Sequence, residues 1–285
     1  MLKYEKDYLD LCKKIIYEGE WVYNERTGKR CKTIINHDFV YDVGNKEVPL
    51  LTTKQVFVTS AIAEIIGYLR GYTNAGDFAR TGSPSWKANA NKTQAWLENP
   101  NRKGEDDCGL IYGAVARDWH GIDLIDKVYN NLKGGIDDRR EIVSFLDPSK
   151  FDKACLRPCA FQWQWSLVNG KLSLHVHQAS CDVPLGLPWN SVSFYWLLDM
   201  MARITGNIPD KVYHKLVNTH IYEDQIPALT EQLSRTPLEE VKPSLELPMW
   251  IECMEDIMYE DIHAREYFTL TNYEHLGKIS FPFSE

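Results

Sequence analysis

Apolar residues recur at helical spacing over residues 3–18, where Tyr4, Leu9, Leu11, Ile15 and Ile16 alternate with lysines and acids. That period predicts an amphipathic helix. Residues 34–41 read as a strand. Residues 56–70 are mostly apolar and close at Gly71; residues 122–132 stop at Gly134 and Gly135. Both predict helices with glycine stops. At Phe161 the period falls to two, with Phe161, Trp163 and Trp165 alternating with Gln162 and Gln164. Asn169-Gly170 is a favoured two-residue turn, and Leu172, Leu174 and Val176 alternate beyond it, so a β-hairpin is predicted. Gly186-Leu187-Pro188 reads as a loop. Residues 190–205 are apolar on all sides and end at Gly206, which predicts a central, buried helix. Residues 81–107, rich in Asn, Lys, Gly and Pro, read as a surface insertion. No repeat or linker divides the chain, so one domain over 1–285 is expected. Antiparallel strand pairs with interspersed helices predict an α+β fold.

Composition narrows the class. The 285 residues are 44% hydrophobic and 25% charged, an ordinary globular balance. The formal net charge of −8 argues against a nucleic-acid backbone as partner, DNA included. An anionic small substrate then requires a local cluster of arginines. No apolar run reaches the length of a membrane span, and residues 1–14 are charged throughout, unlike a signal peptide. The seven cysteines are odd in number and form no CxxC pair. Neither a disulfide framework nor a structural zinc site is expected, and a cytoplasmic location fits.

Four local patterns carry candidate chemistry. Cys159 sits in Leu156-Arg157-Pro158-Cys159, just ahead of a strand, where Arg157 can raise the thiolate fraction. A lone cysteine is otherwise a small inert hydrophobe. Asp137-Asp138-Arg139-Arg140 is either a solvated turn or a phosphate fork, and Arg26-Thr27-Gly28 offers a further arginine in a turn. Asp182 precedes Gly186-Leu187-Pro188-Trp189-Asn190; Asn190 carries the donor and acceptor that read a uracil edge, or it is a helix N-cap. In Asn218-Thr219-His220-Ile221-Tyr222, His220 and Tyr222 share one strand face and can both reach a sugar hydroxyl.

Taken in order, these patterns resemble the thymidylate synthase family, which includes pyrimidine-nucleotide hydroxymethylases. The resemblance also covers Pro49-Leu50-Leu51-Thr52-Thr53-Lys54, Glu64 in its helix, Trp86-Lys87-Ala88-Asn89, Gly109-Leu110-Ile111-Tyr112-Gly113, Ser180-Cys181-Asp182-Val183 and Asn272-Tyr273-Glu274-His275. It implies a three-layer α+β sandwich with a large mixed sheet that dimerises through the sheet. It implies a pyrimidine nucleoside monophosphate as substrate, 5,10-methylenetetrahydrofolate as co-substrate, and no metal. By resemblance Cys159 is the nucleophile that adds to C6 of the base, and Glu64 with Tyr112 handles proton transfer. Asn190 orients the base, His220 and Tyr222 hold the 3′-hydroxyl, and Ser180 and Asp182 line the nucleotide. Arg26 binds phosphate, with Arg139 and Arg140 supplied across a homodimer interface. Trp86, Asn89 and Asp182 line the folate, and the last residues, 281–285, close over the site.

Four departures bear on the product. The family's synthases follow the nucleophile with histidine, where this chain has Ala160. They carry arginine where it has Ala179, Phe where it has Trp189, and Trp where it has Ala116. A phosphate site short of one arginine predicts weaker phosphate binding or a compensating cation such as Arg157. Smaller side chains suggest a wetter site, and water in place of hydride gives a hydroxymethyl group. Hydroxymethylation, with a uracil-type base favoured over cytosine, is therefore the expected reaction; synthesis of dTMP from dUMP is the alternative. A different class remains open, a catalytically inactive member that binds nucleotide or RNA. A cysteine hydrolase using His175 or His177 as base explains none of the other motifs.

Overall fold

The computed structural model describes residues 1–25 and 27–283. Six strands form one sheet: β1 (Glu20–Asn24), β2 (Lys29–Asp42), β3 (Glu141–Ser144), β4 (Ala160–Val168), β5 (Lys171–Asp182) and β6 (Ile208–Tyr222). Their order is β1-β2-β6-β5-β4-β3, and every pairing is antiparallel except β5 with β6. The sheet is therefore mixed, and the fold is α+β. The β4–β5 hairpin turns through Asn169 and Gly170, at φ 52° and 75°. Two positive φ values make the turn whose twist matches the strands it joins.

The α-helices among the described residues are α1 (Lys3–Glu18), α2 (Val58–Leu69), α3 (Ala75–Thr81), α4 (Trp86–Lys92), α5 (Gln94–Leu97), α6 (Tyr112–Ala116), α7 (Leu124–Lys133), α8 (Gly186–Ile204), α9 (Ile226–Ser234) and α10 (Met254–Ile257). Parallel strands need a crossover, and α8 supplies it between β5 and β6. Nearly all of its residues are buried, between α2 on one side and β5 and β6 on the other. It begins four residues earlier than the pattern of residues 190–205 predicts. Gly186, Leu187 and Pro188 form its first turn rather than a loop, because a proline there needs no N–H partner. Asn190 consequently lies inside the helix and is not its N-cap. Residues 81–107 contain α4 and α5, which bury Trp86, Ala90 and Trp96.

Strand alternation sorts the two faces of the sheet. Phe39 and Tyr41 of β2, Leu172, Leu174 and Val176 of β5, and Val212, His214 and Leu216 of β6 point into the helical layer and are buried. On the opposite face Val40, Tyr213 and Val217 are between 40% and 47% exposed. Among the described residues no helix is long and apolar enough to cross a membrane. No group of three His, Cys, Asp or Glu among them is arranged to hold a metal ion.

Candidate active site

Cys159 immediately precedes β4, at one end of a cleft of about 1060 Å3. Its carbonyl accepts from Ala179 N–H at 2.8 Å, which ties it to β5. Its own N–H donates to the Tyr112 hydroxyl at 2.9 Å. Tyr112 is held firmly for this contact. Its φ is 30°, a strained value for a bulky residue, and its ring stacks on Tyr68 at 4.3 Å between centroids. Gly113 makes that stack possible, since a Cβ there would fall 1.7 Å from the Tyr68 carbonyl oxygen.

The cleft wall also carries Asn89, Ser180, Asp182, His220 and Tyr222, all expected from the sequence. His220 and Tyr222 lie on one face of β6 with ring centroids 5.1 Å apart, and His220 Nδ1 is 3.0 Å from Asn218 Oδ1. Burial pushes the Asp182 carboxyl up to about 6, against hydrogen bonds from Gln225 Nε2 at 2.8 Å and Leu185 N–H at 3.3 Å. Gln225 donates also to the Pro282 carbonyl at 3.1 Å, so one amide joins Asp182 to the C-terminal segment. Phe281 packs under the Lys54 ammonium at 4.5 Å, and Phe283 lines the cleft. Residues 284 and 285 lie outside the described residues. Lys54 donates to the Pro184 carbonyl, and burial pushes its ammonium down to about 8.

Glu64, Tyr112 and Asn190 line a second, inner cavity of about 30 Å3, together with Ala160 and Ser193. That is room for about one water molecule. Burial raises the Glu64 carboxyl above the ordinary range, opposed by its hydrogen-bond partners. Tyr68 O–H donates to it at 2.9 Å and Ser85 O–H at 2.8 Å, and the Trp189 side chain bonds it too. Ser85 is exposed and lies 2.9 Å from Ser83, so Glu64 is one hydroxyl away from solvent. Asn190 Nδ2 donates to Gln178 Oε1 at 2.9 Å. The Cys159–Tyr112 bond is the bridge between cleft and inner cavity.

Three expected site residues are brought to neither the cleft wall nor the inner cavity. Trp86 is buried, packed edge-on against Tyr68 and Tyr112. Arg139 and Arg140 are exposed in a turn before β3, each backbone N–H bonded to an Asp137 or Asp138 carboxylate at 2.7 to 2.8 Å. A fourth, Arg26, lies outside the described residues. The cations that do line the cleft among the described residues are Arg157 and Lys92. Sequence reading missed Lys54, Gln178 and Gln225. Gln178 had a signal: it follows Leu172, Leu174 and Val176 at the inward positions of β5, where a polar residue must find partners.

A family profile described as Thymidylate synthase matches residues 6–285. The thymidylate synthase of Shewanella frigidimarina (strain NCIMB 400) is 51% identical, covering 98% of this chain and 99% of its own. Those of Shewanella sediminis (strain HAW-EB3) and Haemophilus influenzae (strain PittGG) are 49% and 48% identical with the same coverage. These relatives overturn the expected hydroxymethyl product, since each is named for the synthase reaction that stood as the alternative. The physical premise fails as well. Ala116 is fully buried and off the wall of the inner cavity, and Ala160 is 6% exposed, so their small side chains open no wide, wet space beside Glu64.

Proposed function

The chain belongs to the thymidylate synthase family, and from that footing we propose that it methylates deoxyuridine 5′-monophosphate at C5. The co-substrate is 5,10-methylenetetrahydrofolate, which supplies both the carbon and the hydride. The observation that carries the reading is the junction at Cys159: a thiol on a cleft large enough for both substrates, joined through Tyr112 to the Glu64 cavity. The Cys159 sulfur adds to C6 of the base, and the electron pair displaced from the C5–C6 double bond makes C5 nucleophilic. Glu64 moves protons at the base through water, for which its cavity has room, and burial raises its carboxyl in the direction that task needs. Tyr112 fixes the Cys159 backbone.

Asn190 offers a uracil edge one donor and one acceptor. His220 and Tyr222 take the 3′-hydroxyl, and Ser180 lies beside them on the nucleotide's side of the cleft. Asp182 and Asn89 flank the folate, and the segment through Phe281 and Phe283 shuts the cleft. Arg157 supplies positive charge for the phosphate where Ala179 supplies none. Arg26 adds to it. Arg139 and Arg140 reach the cleft of a second copy, with the two sheets packed through the exposed face of Val40, Tyr213 and Val217.

The test is product analysis by mass spectrometry with dUMP and methylenetetrahydrofolate. A gain of one methyl group with matching formation of dihydrofolate is expected. Loss of product in Cys159→Ala and a covalent 5-fluoro-dUMP adduct at Cys159 in the unmodified enzyme are expected with it. Absence of both product and adduct would mean an inactive binder.

A further inference from the structure

We propose that His214 and Tyr41 are positioning residues that lock the Asn190 amide in one sense and thereby set the preference for uracil over cytosine. This rests on the reading of Asn190 as the base-reading group. Behind that amide the hydrogen-bonding groups are shut off from solvent, so each proton must be shared among them. Gln178, His214, Tyr41 and Ser191 are each at most 2% exposed.

The Ser180 carbonyl can only accept. It lies 2.9 Å from Gln178 Nε2, so the nitrogen of that amide faces Ser180 and Oε1 faces the other way. Oε1 is 2.9 Å from Asn190 Nδ2 and 2.8 Å from His214 Nε2. Both neighbours must then donate. Burial pushes His214 down to about 3, so near neutral pH the ring carries a single proton. That proton sits on Nε2, and Nδ1 accepts from Tyr41 O–H at 2.7 Å. The Tyr41 oxygen lies 2.8 Å from Ser191 Oγ, which continues to Tyr4. Among the titratable and charged groups around the imidazole, Tyr41 is the one in hydrogen-bond contact; Phe194 closes another side edge-on at 5.1 Å.

With one N–H spent on Gln178, Asn190 has its Oδ1 and its second N–H left for a base. That set complements the N3–H and O4 of uracil. Cytosine needs the amide reversed, and reversal sets Asn190 Oδ1 against Gln178 Oε1, two acceptors with no proton between them. Turning Gln178 to relieve the clash sacrifices both the Ser180 carbonyl and His214.

The experiment measures kcat/KM and Kd for dUMP and dCMP in the full-length enzyme and in His214→Phe, His214→Gln and Tyr41→Phe. His214→Phe is expected to shrink the dUMP-to-dCMP ratio about tenfold. Tyr41→Phe should shrink it less, and His214→Gln, whose amide can still donate to Gln178, should restore most of it. Tyr41→Phe and His214→Gln keep the test open if His214→Phe does not fold. Equal losses for the two nucleotides, or an unmoved ratio in folded variants, overturn the proposal while leaving the reading of the site intact. An unmodified enzyme that takes neither nucleotide removes both.

Discussion

Glu5 and Glu64 are both carried inward by a helix, and the molecule treats them in opposite ways. Glu5 on α1 is completely buried and receives three bonds of 2.8 Å, from the N–H groups of Thr52 and Thr53 and the Thr52 hydroxyl. Two of these donors are backbone groups that cannot reverse. The third, the Thr52 hydroxyl, also accepts from Leu238 N–H at 2.9 Å, which ties it to a second segment of the chain. Glu64 on α2 is held largely by hydroxyls, and a hydroxyl can donate to a carboxylate or accept from a carboxylic acid. One glutamate is a rivet, and the hydroxyl partners of the other can stay with it as carboxylate or as carboxylic acid. Burial alone says little about a carboxyl group; the reversibility of its donors says what it can do.

Removing the carboxyl at each position tests the contrast most severely. Glu64→Gln should lower kcat by roughly two to four orders of magnitude, with thermal unfolding shifted by only a few degrees. A variant with near-normal kcat would end the assignment of Glu64. Glu5→Ala should do the reverse. It strands two buried N–H donors and should cost about 4 kcal/mol, or a fall of roughly 10 °C in Tm, with kcat intact below the transition.

Asp182 sits between the two cases, and pH exposes it. Its folded-state pKa of about 6 lies above the ordinary 3.8, so the fold favours the protonated form. The associated stability is complete below about pH 4 and is lost as pH rises to about 6, a difference of about 3 kcal/mol. Asp182→Asn should therefore raise Tm at pH 8, leave it nearly unchanged at pH 4, and weaken folate binding. A wild-type Tm that does not fall relative to the variant between those values would refute the buried-carboxyl account. The smallest expected effect comes from Ser85→Ala, which cuts the hydroxyl path from Glu64 to solvent. Its hydrogen bond lowers the Glu64 pKa, so its loss should move the acid limb of kcat/KM to higher pH and slow kcat about tenfold.

Much of this layout was legible in the pattern of residues, and what escaped did so for physical reasons. The hairpin at Asn169-Gly170 and the shared face of His220 and Tyr222 follow from a period of two, which local sequence carries. The inward turn of Glu5 does not, since a charged residue on a helix reads as solvated until its partners, 47 residues away in sequence, are known. Gly186-Leu187-Pro188 was misread because proline breaks a helix anywhere except its first turn. The wetness inferred from Ala116 and Ala160 failed because small side chains show a loss of volume and not how closely the neighbours pack. Arg139 and Arg140 stand off the cleft, and no local pattern in the sequence tells a phosphate fork from a solvated turn.

The pairing of β2 with β6 sets a timetable for the newborn chain. Cys31 lies opposite Tyr222 and Asp42 opposite Lys211, so the strand at one edge of the first fifty residues must wait for one that ends near residue 222. At 5–20 residues per second, synthesis leaves β2 without its central neighbour for roughly ten to thirty seconds. Its edge of unpaired backbone N–H and C=O groups is unprotected for that interval, the period in which a chaperone has the most to shield. Any chain cut short before residue 208 lacks β6 altogether and strands both β2 and β5 without the element that unites them.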